Sequence, residues 1–237
     1  MGEPLVVATG IGKTIKSKTL VEPIDLRVDR GETLALCGGN GAGKSTILRM
    51  IAGILTPSAG EIRVNGLSWK EKRAEFAKQI GYMPDDFAFT PGLSALETLS
   101  FWGALRGVGK SRVKETLAVV GLEDKCGDKV QTFSKGMRQR LLFAQAILAK
   151  PSLLLLDEPT NGLDPHWMEE FVRLIRELKG QGHAVVFSTH QLPVAEEVAD
   201  RVVFLNQGKR CAEGSVAEYR ARYGEYPLHA AFREALA

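Results

Sequence analysis

Apolar and charged residues alternate from Ile24 to Asp29, with Ile24, Leu26 and Val28 set against Asp25, Arg27 and Asp29, and the same period of two runs from Glu61 to Asn65 before an Asn65-Gly66 turn. This pattern predicts half-buried antiparallel strands. Unbroken apolar runs occur at Thr33–Cys37, Leu153–Leu156, Ala184–Phe187 and Val202–Leu205, and a polar loop and a helical pattern follow each of the first three. Such runs predict strands buried on both faces of a mostly parallel sheet. After Asp164-Pro165, the residues Trp167, Phe171, Leu174, Ile175 and Leu178 share one helical face, with Asp164 placed as N-cap and Pro165 in the first turn.

Between Asp85 and Lys150 the strand patterns stop, and Leu96–Leu105, Arg112–Val120 and Gly136–Leu148 carry helical spacing instead. The expected division is an α/β core with an antiparallel β subdomain over residues 1–84 and 151–214. A helical subdomain is inserted at 85–150, and a short helical tail occupies 215–237.

Composition narrows the function classes. At 237 residues the chain can bury a substantial core, and 44% hydrophobic with 25% charged residues is an ordinary globular balance. No apolar stretch approaches the length of a bilayer span. The start, with Glu3 and Pro4, lacks a secretory pattern, so a cytoplasmic chain is expected. Three cysteines, Cys37, Cys126 and Cys211, have no C-x-x-C spacing and argue against a disulfide framework or a zinc site. A net charge of +3 is mild and gives no reason to expect nucleic acid as a partner.

The chemistry begins where the first apolar run ends. Gly38, Gly39, Asn40, Gly41, Ala42, Gly43, Lys44 and Ser45, followed by Thr46, read as a phosphate-binding loop opening a helix. Its glycines let backbone N–H groups converge on one anion, Lys44 adds a point charge, and the Ser45 hydroxyl is placed to ligate Mg²⁺. A nucleoside triphosphate is therefore the expected ligand. Hydrolysis needs a second anchor for the metal and a base for water, and the strand ending Leu156-Asp157-Glu158 offers Asp157 for the first and Glu158 for the second. His190 ends another buried run, where its imidazole can donate to the γ-phosphate. His166, His183 and His229 have no such setting and are expected to be structural or exposed.

Phe133-Ser134-Lys135-Gly136-Met137-Arg138-Gln139-Arg140, followed by Asp157-Glu158-Pro159-Thr160-Asn161-Gly162-Leu163-Asp164, separates this chain from other phosphate-loop ATPases. The chain resembles the nucleotide-binding domain of ABC transporters over nearly its whole length to about Gly214, and its wording is similar to the ATPases of ABC-2-type exporters. A looser likeness is to ATPases serving the maturation of periplasmic metalloenzymes. The resemblance implies ATP and Mg²⁺ as cofactors. It also implies a second copy of the chain whose Ser134, Gly136 and Gln139 face the ATP held by the first, with Asp164 crossing the interface. A separate integral-membrane permease would be the driven partner, at the cytoplasmic face of the membrane. An alternative within the family is a soluble ATPase of iron–sulfur cluster assembly or another non-transport role, whereas a small-molecule kinase or GTPase leaves Ser134–Arg140 unexplained.

Two positions depart from the family pattern. The place of the usual adenine-stacking aromatic falls near Ile15, and no Phe, Tyr or Trp precedes Trp69. Asp85 stands where the family usually has Gln, as a further contact for Mg²⁺ or its water.

Overall fold

The computed structural model describes residues 4–236; Met1 to Glu3 and Ala237 lie outside it. The chain opens with β1 (Val6–Ile15), β2 (Lys18–Val28), β3 (Thr33–Cys37) and α1 (Lys44–Ile51). Then come β4 (Ala59–Val64), β5 (Leu67–Ser68), α2 (Arg73–Lys78) and β6 (Ile80–Met83). A helical stretch holds α3 (Ala95–Leu105), α4 (Lys110–Val119) and α5 (Lys135–Ile147), and no strand interrupts it among the described residues. The chain returns through β7 (Leu153–Asp157), α6 (Pro165–Gly180), β8 (Ala184–Thr189), α7 (Leu192–Val198), β9 (Arg201–Asn206) and β10 (Lys209–Ser215) to α8 (Val216–Tyr223) and α9 (Pro227–Leu236).

Two sheets form. One is antiparallel in the order β2-β1-β4-β5; the other runs β10-β9-β3-β8-β7-β6, parallel throughout except for the antiparallel edge strand β10. The fully apolar strands lie where their composition sends them. Along β7, Leu153 and Leu155 join one apolar cluster with Ile47, Leu48 and Ile51 of α1 and with Leu26 and Val28 of β2. Leu154 and Leu156 point the other way, into a cluster with Leu141, Ala144, Phe171 and Ile175 of α5 and α6. Period-two alternation in an all-apolar strand thus serves two cores at once. Each buried Leu contributes roughly 1.5–3 kcal/mol of transfer free energy.

The helical stretch is pinned at its entrances. Ser94 and Glu97 form a reciprocal capping box on α3, and Ser94 bridges to Lys129, so the two ends of the α3–α4 excursion meet. Helix α5 packs on α3 and α4 and also on β6 and β7, which ties the excursion to the parallel sheet.

This topology puts the chemistry at one edge. Parallel register pairs Cys37 with Thr189, Asp157 with Ser188, and Leu156 with Met83. The carboxyl ends of β3, β8, β7 and β6 are therefore level, and the loops leaving them emerge side by side, as crevices at strand carboxyl ends do in open α/β sheets.

Candidate phosphate and hydrolysis site

The loop after β3 turns sharply into α1. Gly43 is the N-cap of α1 at φ 99°, a conformation that a side chain disfavours, and no side chain caps the helix. Free N–H groups and the helix dipole are thus aimed at whatever the loop encloses. Asn40 through Thr46 line a cavity of about 550 Å³, whose walls also include Thr19, Leu20, Asp85, Glu158 and Gln207. Gly208, beside Gln207 in the β9–β10 turn, donates to Ala42 O at 3.2 Å and accepts from Glu22 N at 2.8 Å, so this turn is fastened to the loop.

Lys44 is buried. Its Nζ donates to Gly38 O at 2.8 Å and Gly39 O at 3.2 Å and lies 3.2 Å from Glu158 Oε1. Glu158 is buried as well, and its Oε2 stands 2.9 Å from His190 Nδ1. With Nδ1 engaged, Nε2 is the His190 nitrogen left for another partner.

Asp157 closes the arrangement. Its Oδ1 accepts from Ser45 Oγ at 2.9 Å and from Ser188 Oγ at 2.7 Å, while its buried Oδ2 has no hydrogen-bond partner. Burial raises the Asp157 pKa above the ordinary carboxylate value, the two serine hydroxyls oppose that rise, and nearby Asp85 adds to it. A buried carboxylate oxygen lacking a donor, next to a serine hydroxyl, fits a hard divalent cation. Among the described residues no three His, Cys, Asp or Glu side chains converge as a metal cage, so such a cation would take further oxygens from a phosphate ligand or water.

The expected signature residues lie elsewhere. Ser134 is exposed and N-caps α5, accepting from Met137 N at 3.2 Å. Asp164, also exposed, caps α6 by accepting from Trp167 N at 3.0 Å. A Cβ on Gly136 would come within 2.8 Å of Gly162 O, so α5 and the Glu158–Asp164 loop touch through backbone. Gln139 does not join the exposed face: it is 3% exposed and its Oε1 accepts no hydrogen bond. Arg140, one residue on, stacks over Trp167 at 4.1 Å, and burial lowers its pKa.

Ile15 ends β1, exposed, across the hairpin from Lys18; Lys18, Thr19 and Leu20 line the cavity there in its stead. Asp85 does reach the cavity, with its Oδ1 accepting from Asn161 Nδ2 at 3.0 Å. The remaining histidines are as expected from the sequence: His166 and His229 are exposed, and His183 bonds the Pro151 carbonyl. Sequence reasoning missed Lys18, Thr19, Leu20, Gln207 and the Asn161 side chain. Only Asn161, inside the Asp157–Asp164 motif, left a local signal.

Comparison with known proteins bears on this geometry. The family model described as "ABC transporter" matches residues 21–161. The linearmycin resistance ATP-binding protein LnrL of Bacillus subtilis is 35% identical over 224 residues, covering 93% of this chain and 72% of that protein. The bacitracin transport ATP-binding protein BcrA of Bacillus licheniformis is 34% identical over 224 residues, covering 94% and 73%. Among solved structures, an ATP-binding subunit of an ABC transporter superposes with a TM-score of 0.89 at 30% identity, covering 98% of this chain and 100% of that one. The cassette MJ0796, solved as a dimer in a post-hydrolysis state with ADP and Pi, gives 0.82 at 27% identity, covering 89% and 98%.

Proposed function

Since the chain belongs to the ABC transporter family as an ATP-binding, ATP-hydrolysing subunit, we propose that it works as a head-to-tail dimer clasping two MgATP and driving a separate membrane permease, in the direction of export. The observation that carries this reading is the split of the chemistry. The phosphate cavity with Lys44, Glu158 and His190 is assembled within one chain, whereas Ser134 and Asp164 are exposed at helix N-termini away from it. A helix N-terminus is an anion site, and on a twofold dimer the same patch serves both copies.

In this reading the N–H groups from Gly39 to Lys44 cradle the phosphates and Lys44 Nζ follows the outer oxygens. Ser45 Oγ and Asp157 would hold Mg²⁺, with Asp85 at the cavity wall as a further contact for it or its water. When bound, the metal neutralises charge on the transferred phosphoryl group. Glu158 accepts the proton of the attacking water, and His190 Nδ1 fixes its carboxylate while Nε2 meets the γ-phosphate. Ser134 and the Gly136 N–H of the second copy complete the cradle. Gln139, from its buried place, supports that helix tip rather than touching ATP. Apolar packing near Ile15 and Leu20 takes the place of aromatic stacking on adenine. Residues 85–150 act as the moving helical subdomain against the core of 4–84 and 151–214, with α8 and α9 packed on the core.

No helix among the described residues is long and apolar enough to cross a membrane. A permease therefore supplies the span in this reading, with the ATPase docked peripherally on its cytoplasmic side. Export follows the relatives named for resistance and bacitracin transport, and the same names favour transport over iron–sulfur assembly. The test is MgATP added to Glu158→Gln: a stable dimer with negligible turnover is expected, and a monomer holding nucleotide would defeat the reading.

A further inference from the structure

Glu158 sits at φ 47°, a left-handed conformation that is uncommon for a residue with a side chain. Every polar handle of the residue is in fact taken. Its N–H donates to Ser188 Oγ at 2.8 Å, and its carbonyl accepts from Asn161 N at 3.1 Å. Its two carboxylate oxygens meet Lys44 and His190. Ser188 and Lys44 are held by the buried core, but Asn161 belongs to a turn nearer the surface. That turn has its own anchor, the bond from Asn161 Nδ2 to Asp85 Oδ1. Asp85 follows β6 by two residues and Glu158 follows β7 by one, and these strands are parallel neighbours. The bond therefore ties two adjacent strand-end loops together at the rim of the phosphate cavity.

We propose that Asp85 and Asn161 are a positioning pair for hydrolysis: the carboxylate holds the Asn161 amide, which holds the Glu158 turn, so that the general base keeps its aim at the attacking water. The pair acts through Glu158, and the proposal rests on the reading of Glu158 as base. It gives the acid at position 85 a task beyond any contact with hydrated metal.

Exchange of donor and acceptor tests it. Asn161→Asp sets two carboxylates against each other, and Asn161→Ala removes the donor without adding charge. Both are expected to lower kcat roughly tenfold to a hundredfold, the scale of a misaimed catalytic group, while KM for MgATP stays within about threefold. The double variant Asp85→Asn/Asn161→Asp restores the bond with its polarity reversed and is expected to recover kcat severalfold over Asn161→Asp, while staying below the wild type because the Asp85 carboxylate is also lost from the metal's surroundings. Wild-type kcat in both single variants, a loss confined to KM, or a double variant no better than Asn161→Asp would overturn the pair. Glu158→Gln keeps the two failures apart. If it turns over normally, the base assignment falls and takes the pair with it; if it is inactive while the exchange fails, only the pair falls.

Discussion

The loop side of the molecule and the Ser134 side are built on opposite principles. Around Lys44 the lysine and the two carboxylates are buried and linked to groups from different strand ends, with Asp157 Oδ2 left without a hydrogen-bond partner. Around Ser134 and Asp164 each side chain does one local job, capping its own helix, and otherwise faces solvent. A network closed within one chain can select and hold a ligand by itself. An exposed pair of helix tips has donors to offer and no partner of its own, so its chemistry waits for another surface.

The largest blow to the closed side is Lys44→Ala. Nucleotide affinity and hydrolysis should both be lost, and Glu158 is left as a buried charge with one partner fewer, a change that typically costs about 3–5 kcal/mol when such a pair is broken. Isothermal titration with MgATP and a melting curve read both effects. Next comes Glu158→Gln, expected to cut kcat by roughly 10²–10⁴ with binding retained, as measured by phosphate release. On the open side, Ser134→Arg should leave nucleotide binding to the monomer intact and abolish ATP-driven dimerisation. Mixing it with Lys44→Ala protein sharpens the contrast. A mixed dimer pairs one intact loop with one intact helix tip, so part of the hydrolysis should return; no recovery would argue against sites shared between copies.

A smaller effect concerns stability. Because the folded pKa of Asp157 is raised, the folded state holds its proton to higher pH than the unfolded chain does. Stability is therefore lost as pH climbs from the unfolded carboxylate value of about 3.9 through the folded one. Asp157→Asn should remove that loss and raise the melting temperature of the unliganded protein at neutral pH, by about 2–4 °C for each kcal/mol recovered, while hydrolysis falls. Least of all, Cys37 should resist thiol reagents at pH 8 in the native protein, since burial pushes its pKa up to about 12. The partly exposed Cys126 and Cys211 should react.

The same contrast explains which parts of the molecule are legible in its sequence. The loop side is written in contiguous residues, Gly38–Thr46 and Leu153–Glu158, because a strand delivering a side chain needs only its own apolar run and the next two positions. The strand β1 is hidden because Gly10 and Gly12 and its register shifts break the alternation on which strand reading depends. The helices α2 and α7 are too short to show periodicity; tertiary contacts through Phe76 and through Val194, Ala195 and Val198 hold them. Gln139 falls within the signature motif, yet it is buried beside a small cavity that Leu163 and Phe171 from another segment also line, and no local pattern reveals that burial. Asp85 and Asn161 are 76 positions apart, and nothing local marks them as neighbours.

The backbone contact between Gly136 and Gly162 carries one last implication. With space for no added methyl group at Gly136, the tip of α5 and the Gly162 backbone are in direct contact, so a side chain placed there would push on the turn that carries Asp164. If this face meets a second copy as proposed, the Ser134 hydroxyl and the Asp164 carboxylate come to it from two helix tips whose backbones already touch.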